Sequence, residues 1–224
     1  MKRVYLYIVA MLACCQLSAQ TYDELITRAM NAVERDSLHQ AEAWFKKALQ
    51  LEPANMRNAL LFSNLGTVQR RMGKNKEALE SYSLALNLTP YSVTMLLNRA
   101  SLYLERDYLD KAFVDYCNVI DLDATNTEAL GFRAYIYMRR RQYTDAKADY
   151  QRVLKEVSDD KTARIGMAMA NQKLQRYRES LEEFNRLIVD YPKDVSLLKA
   201  RAELEMEMGT LEVALLDLEN AAKL

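Results

Sequence analysis

The sequence predicts an all-α fold, a solenoid of about six helix-turn-helix repeats, on three observations. Glycine and proline are scarce, at 5 and 3 of 224 residues, while Ala, Leu, Glu, Lys, Arg and Met, which lose least on entering a helix, are plentiful. A small residue followed four positions later by an aromatic one recurs as Ala41/Phe45, Ala78/Tyr82, Ala112/Tyr116, Ala146/Tyr150 and Ser180/Phe184, and Ala214/Leu218 continues the series; the first spacing is 37 residues and the other four are 34. A second small residue stands 12 positions earlier in every unit, as Ala29, Gly66, Ala100, Ala134, Ala168 and Ala202. A fixed period of this length marks units that bury their apolar faces by stacking on one another.

In chain order, residues 1–20 come first and differ in kind. Lys2 and Arg3 precede an apolar run from Val4 to Cys15, and small residues follow at Ser18 and Ala19, the pattern of a signal peptide cut between Ala19 and Gln20. The run is short for a permanent membrane anchor, which needs about 20 residues. Ala13 before Cys14 offers a competing reading, lipoprotein processing with acylation of Cys14, although Met11 stands where such sites usually carry Leu. The expected destination is the periplasm, with a membrane-anchored lipoprotein as the alternative.

Residues 21–224 then form the solenoid, in units 22–55, 59–92, 93–126, 127–160, 161–194 and 195–224. Each unit has a first helix carrying one small column and a second carrying the other. Both columns are small because helix axes approach most closely there, and the aromatic one turn further on fills the space between units. Pro53, Pro90 and Pro192 share one column, 12 residues after the second small position, where they separate one unit from the next. Gly73 and Gly209 share the turn between the two helices, where a left-handed backbone is expected. Two departures are local. Arg164 occupies the column of Leu25, Phe62, Leu96, Leu130 and Leu198, which predicts looser packing of the fifth unit's first helix, and Met56, Arg57 and Asn58 lengthen the first connection.

With these columns in place the chain resembles the tetratricopeptide-repeat family over residues 22–224, most clearly in NRASLYLERDYLDKAFVDYCNVIDLD from Asn98. The resemblance implies a right-handed superhelix whose concave wall comes mainly from the first helices, and binding of a protein or peptide in that groove. Carried onto this chain, the wall offers Asn64, Thr67, Leu97, Asn98, Ser101, Phe132, Tyr135, Met138, Met169 and Gln172. Amide side chains can pair with a peptide backbone, and aromatic rings and methionines supply adaptable apolar contact; the competing reading is that several of these are ordinary core or solvated residues. Some members of the family clamp a partner's C-terminal carboxylate with Lys and Asn. Of that set only Asn64 fits; the neighbouring positions are Ile26, Met30, Thr94 and Asn98, so that activity is not expected.

Basic residues gather where the first helices end: Arg70, Arg71, Arg106, Arg139, Arg140, Arg141 and Lys173. They are either a docking rim for an acidic partner or cations offsetting the negative ends of helix dipoles. In the last helix Leu211, Ala214, Leu215, Leu218 and Ala221 are expected to face inward, while Val213 and Leu216 extend an apolar end face. That end meets a second copy or a partner, or is a tolerated patch on a monomer.

Charge argues against a general nucleic-acid binder: without Lys2 and Arg3 the chain carries 29 basic and 31 acidic residues. The inventory argues against an enzyme. His39 is the single histidine, with no partner at metal-ligand spacing, and Cys117, the one thiol left after cleavage, has no histidine in its repeat to activate it. No glycine-rich phosphate loop occurs. No cofactor or metal is expected. Two classes remain, a groove-binding interaction scaffold and an assembly subunit of an envelope complex that works through its ends and convex face.

Overall fold

The computed structural model describes residues 21–224. The signal-peptide reading and the Cys14 acylation site lie outside these residues. Twelve α-helices and no strands occur among the described residues, and they fall into two compact units divided after Leu102. The first unit holds α1 (Tyr22–Glu34), α2 (Leu38–Leu51), α3 (Asn58–Arg71), α4 (Asn75–Leu88) and most of α5 (Val93–Glu105). The second holds the end of α5, then α6 (Leu109–Leu122), α7 (Thr127–Arg139), α8 (Tyr143–Glu156), α9 (Lys161–Lys173), α10 (Tyr177–Asp190), α11 (Val195–Met208) and α12 (Leu211–Lys223).

Local chemistry sets the helix ends. Thr21 and Glu24 form a reciprocal capping box on α1, and Asn126, Asp160 and Asp194 accept backbone N–H groups at the starts of α7, α9 and α11. The turn inside every helix pair passes through a left-handed residue: Asp36, Gly73, Asp107, Arg141, Gln175 and Gly209, with φ between 56° and 81°. The expectation for Gly73 and Gly209 is met, and four non-glycine residues adopt the same strained conformation at the same column.

Packing follows the two small columns, which are buried throughout. In the first unit Phe45 is enclosed with Leu25, Ala29, Ala41, Leu61 and Leu65. In the second, Phe184 and Leu187 pack with Ala168, Leu197 and Leu204. A β-carbon on Gly66 would stand 2.8 Å from the Tyr82 ring, which explains the one glycine in a column otherwise alanine. Ser180, the one hydroxyl in its column, donates to Ala168 O at 2.8 Å, so its burial leaves nothing unsatisfied.

Three features differ from the sequence expectations or go beyond them. Arg164 does not loosen the fifth repeat. It lies along the packed surface with Nε 2.5 Å from Glu183 and Nη1 2.7 Å from Asp190, so its stem packs while its charge is paired. The lengthened connection is stapled: Asn58 is buried, accepts from Tyr22 Oη at 2.8 Å and donates to Glu52 O and Pro53 O. On α12 the inward residues are Ala214, Asp217 and Ala221, whereas Leu211, Leu215 and Leu218 are exposed. Leu218 is 40% exposed, while Phe45, Tyr82, Tyr116, Tyr150 and Phe184 in its column are at most 5% exposed. In the earlier pairs a following helix covers that face, and among the described residues none follows α12.

Buried carboxylates form a further column at Asp115, Asp149, Glu183 and Asp217, spaced by 34. Arg133 meets Asp149 through two bonds of 2.7 and 2.9 Å, and Arg201 meets Asp217 at 2.7 and 2.6 Å. Glu183, whose column partner is Met167, takes Arg164 instead.

Candidate functional site

The second compact unit contains a cavity of about 480 Å³ along α7. It is lined by Gly131, Phe132 and Tyr135 of α7, Tyr150 and Val153 of α8, Ala163 of α9 and Leu104 at the end of α5. Glu128 in the first turn of α7 and Asp160 and Thr162 at the start of α9 also line it, as do Glu105 and Arg139 at the C-terminal ends of α5 and α7. The Thr127–Arg139 helix that borders it rises about 18 Å.

Its aromatic side chains are held by contacts within the protein. The Phe132 ring stacks on Tyr116 with centroids 5.4 Å apart and planes inclined by 20°. The Tyr135 hydroxyl accepts from Arg139 Nη1 at 3.0 Å, and Arg139 Nη2 reaches Asp107 at 3.2 Å, so that cation is already engaged. Burial, reinforced by Tyr135, pushes the Tyr150 phenol up to about 12, and the ring stays neutral across the physiological range.

Gly131 contributes open space to this lining. Its column carries Leu97 and Ile165 in the flanking repeats. A β-carbon at Gly131 would meet nothing within 4 Å. Gly166 is different: a β-carbon there would come 2.3 Å from the Tyr150 ring, so packing requires that glycine. A mid-helix glycine costs about 1 kcal/mol relative to alanine, and no internal contact offsets that cost at Gly131.

Of the ten wall residues expected from sequence, the structure brings Phe132 and Tyr135 into this cavity. Met138 is half-buried, Met169 is exposed on α9 and Gln172 is buried; none of the three lines it. In the first unit several are engaged internally. Thr67 Oγ1 donates to Ser63 O and shares a 3.1 Å bond with the Tyr82 hydroxyl, and Ser101 Oγ accepts from Arg70 Nη2. Asn64 Nδ2 points to Met30 Sδ at 3.8 Å, and Leu97 and Asn98 are half-buried. Gly131 and Glu128 do not stand out as site residues in the sequence, where the break from Leu97 and Ile165 to Gly131 is the available signal, and Asp160 reads there as a helix-cap residue, which it is.

The basic rim is largely a ladder of ion pairs. Arg71 meets Asp36 at 2.7 Å, Arg139 meets Asp107, Arg140 meets Asp110, and Lys173 meets Glu207 at 2.9 Å. Arg106 and Arg141 are exposed. At the far end Val213 and Leu216 are exposed beside the leucines of α12. His39 is exposed, and Cys117 is half-buried with Arg133 Nη1 3.6 Å from its sulfur. No cluster of three metal-ligating side chains and no helix long and apolar enough to cross a membrane occur among the described residues.

Models of the tetratricopeptide repeat match residues 60–92 and 137–204. The human DnaJ homolog subfamily C member 7 is 23% identical over 186 residues, covering 77% of this chain; the chain spans only 37% of that relative's length. A solved tetratricopeptide repeat protein from Parabacteroides merdae superposes with a TM-score of 0.82 at 38% identity, over 92% of this chain and 80% of the other. YrrB, a protein of the same repeat class, superposes with a TM-score of 0.68 at 18% identity, over 80% of this chain and 91% of its own. The 34-residue period, the twelve-helix architecture and the Parabacteroides relative agree, and the chain belongs to the tetratricopeptide-repeat family.

Proposed function

We propose that this member of a protein-interaction family binds a segment of a partner protein in the cavity along α7. The observation that carries this reading is an apolar hollow, lined by aromatic rings, that no side chain of the protein fills. Such a shape, with a few polar groups in its lining, is what a peptide side chain needs for burial and orientation. The likeness to YrrB, described as having an unusual peptide-binding site, supports the reading at the level of fold.

A second reading is an assembly subunit, favoured by the exposed leucines of α12, which offer an end surface for a second copy or another protein. Export to the cell envelope rests on the character of residues 1–20.

Photo-crosslinking in the native cell, from probes at Tyr135 and Leu216, separates the two readings. Capture of one defined protein from Tyr135, lost in Phe132→Ala, is the expected result; capture from Leu216 alone overturns groove binding in favour of assembly. The N-terminus of the same purified protein tests export. A start at Gln20 gives the soluble form, an acylated Cys14 the lipoprotein, and an intact Met1 excludes both.

A further inference from the structure

Resting on the groove reading above, we infer that the α7 cavity selects a peptide segment bearing a bulky apolar side chain next to a lysine or arginine. Two independent observations carry this. Gly131 is the one helical glycine whose missing β-carbon opens space that no neighbour occupies, whereas Gly66 and Gly166 each make room for a tyrosine ring. The hollow is lined by Phe132, Tyr135, Tyr150 and Val153, so its occupant is apolar.

Charge supplies the second element. Glu128, in the first turn of α7, and Asp160, the N-cap of α9, line the cavity at the starts of these two helices. Asp160 accepts the Ala163 N–H at 2.7 Å, which fixes its carboxylate without neutralising it. The positive ends of α7 and α9 offset about half a charge each, so the lip stays negative. Nearby cations are committed elsewhere: Arg152 to Ala124 O and Asp149, and Lys161 to Asp194 at 2.6 Å. At the C-terminal end of α7 Arg139 is paired with Asp107, which blunts its attraction for an acidic ligand. An acidic segment would therefore meet carboxylates that the helix ends offset only in part, and a basic one would pair with them.

The test is fluorescence anisotropy of the full mature chain with a labelled peptide carrying a central phenylalanine flanked by lysines, against the same peptide with glutamates. The lysine peptide is expected to bind at least about tenfold tighter, a difference of about 1.4 kcal/mol. Glu128→Gln with Asp160→Asn, which keeps a capping side chain, should remove most of that preference. Gly131→Leu should weaken the lysine peptide about tenfold or more while leaving the thermal midpoint unchanged or raised. Equal affinity for the two peptides, no measurable binding of either, or unchanged affinity in Gly131→Leu would each overturn the proposal; if Gly131→Leu unfolds, the charge pair of variants still decides it. The Tyr135 crosslinks distinguish the levels of failure: a partner captured there while the peptides show no preference leaves groove binding standing and removes this specificity, and no capture there removes both.

Discussion

Glu205 is the residue at which burial and charge conflict most openly. It is 5% exposed, and its Oε2 has no hydrogen-bond partner. Burial raises its pKa above the ordinary 4.5, Asp217 raises it further and Arg201 opposes. A carboxyl with a raised folded pKa holds its proton more tightly folded than unfolded. Its contribution is most favourable below about 4.5 and turns into a cost as pH rises through the folded pKa. Glu205→Gln is therefore expected to gain about 1 kcal/mol at pH 7 in urea denaturation, with the gain vanishing at pH 4. Equal or lower stability at pH 7 would show that the carboxylate has found compensation. Glu42 behaves in the opposite sense: burial pushes it up, but hydrogen bonds from Lys46, Lys74 and Gln69 outweigh that and hold it at about 2. Its stabilisation is present above about 4.5 and is lost as pH falls towards about 2. Neither behaviour was legible in the sequence, because a glutamate on a helix looks the same whether or not a neighbouring helix covers it.

At the scale of elements, helix pairs are joined by buried charge as well as by apolar contact. The Arg133–Asp149 bond links α7 to α8, and Arg201–Asp217 links α11 to α12, each across a sequence separation of 16. The Arg164–Glu183 pair joins α9 to α10 by a shifted arginine three residues earlier, where Met167 occupies the usual position. Removing one member strands the other charge in a low-dielectric site. Asp149→Ala is accordingly expected to lower stability by about 3 kcal/mol, and Arg133→Met with Asp149→Leu by clearly less. Chemical denaturation of the three chains checks this, and a single-variant loss under about 1 kcal/mol would mean that water already solvates the pair. The arginine and aspartate columns were readable at the 34-residue period, but their pairing was not, since spacing alone does not distinguish a buried bond from two solvated charges.

At the scale of the whole molecule the first and last described helices are unlike. On α1, Glu24 and Asn31 are exposed at columns that carry Leu61 and Val68, Met95 and Leu102, and Leu197 and Leu204 inside the array. That face of α1 is polar. On α12 the corresponding outward face shows Leu211, Leu215 and Leu218. A second copy docking head to tail would bury Glu24 and Asn31 against leucine, whereas two α12 faces are chemically alike, and a symmetric pair closes at two chains. If the assembly reading proposed above holds through a second copy, light scattering of the protein at micromolar concentration gives the mass of two chains, reverting to one in Leu211→Gln with Leu215→Gln. A one-chain mass for the unaltered protein would sink self-association.

By itself the sequence determined the all-α class, the repeat register, the small columns and the left-handed turns at Gly73 and Gly209, because these are backbone and close-packing requirements that recur every 34 residues. Only the tertiary structure decided that Arg164 pairs instead of loosening its repeat, that the rim arginines are mostly occupied, and that Phe132 and Tyr135 face a cavity while Gln172 is buried. Each of those outcomes depends on which neighbouring helix lies within a few ångströms of a side chain, and so on whether water or protein solvates it. The period along one chain does not encode that.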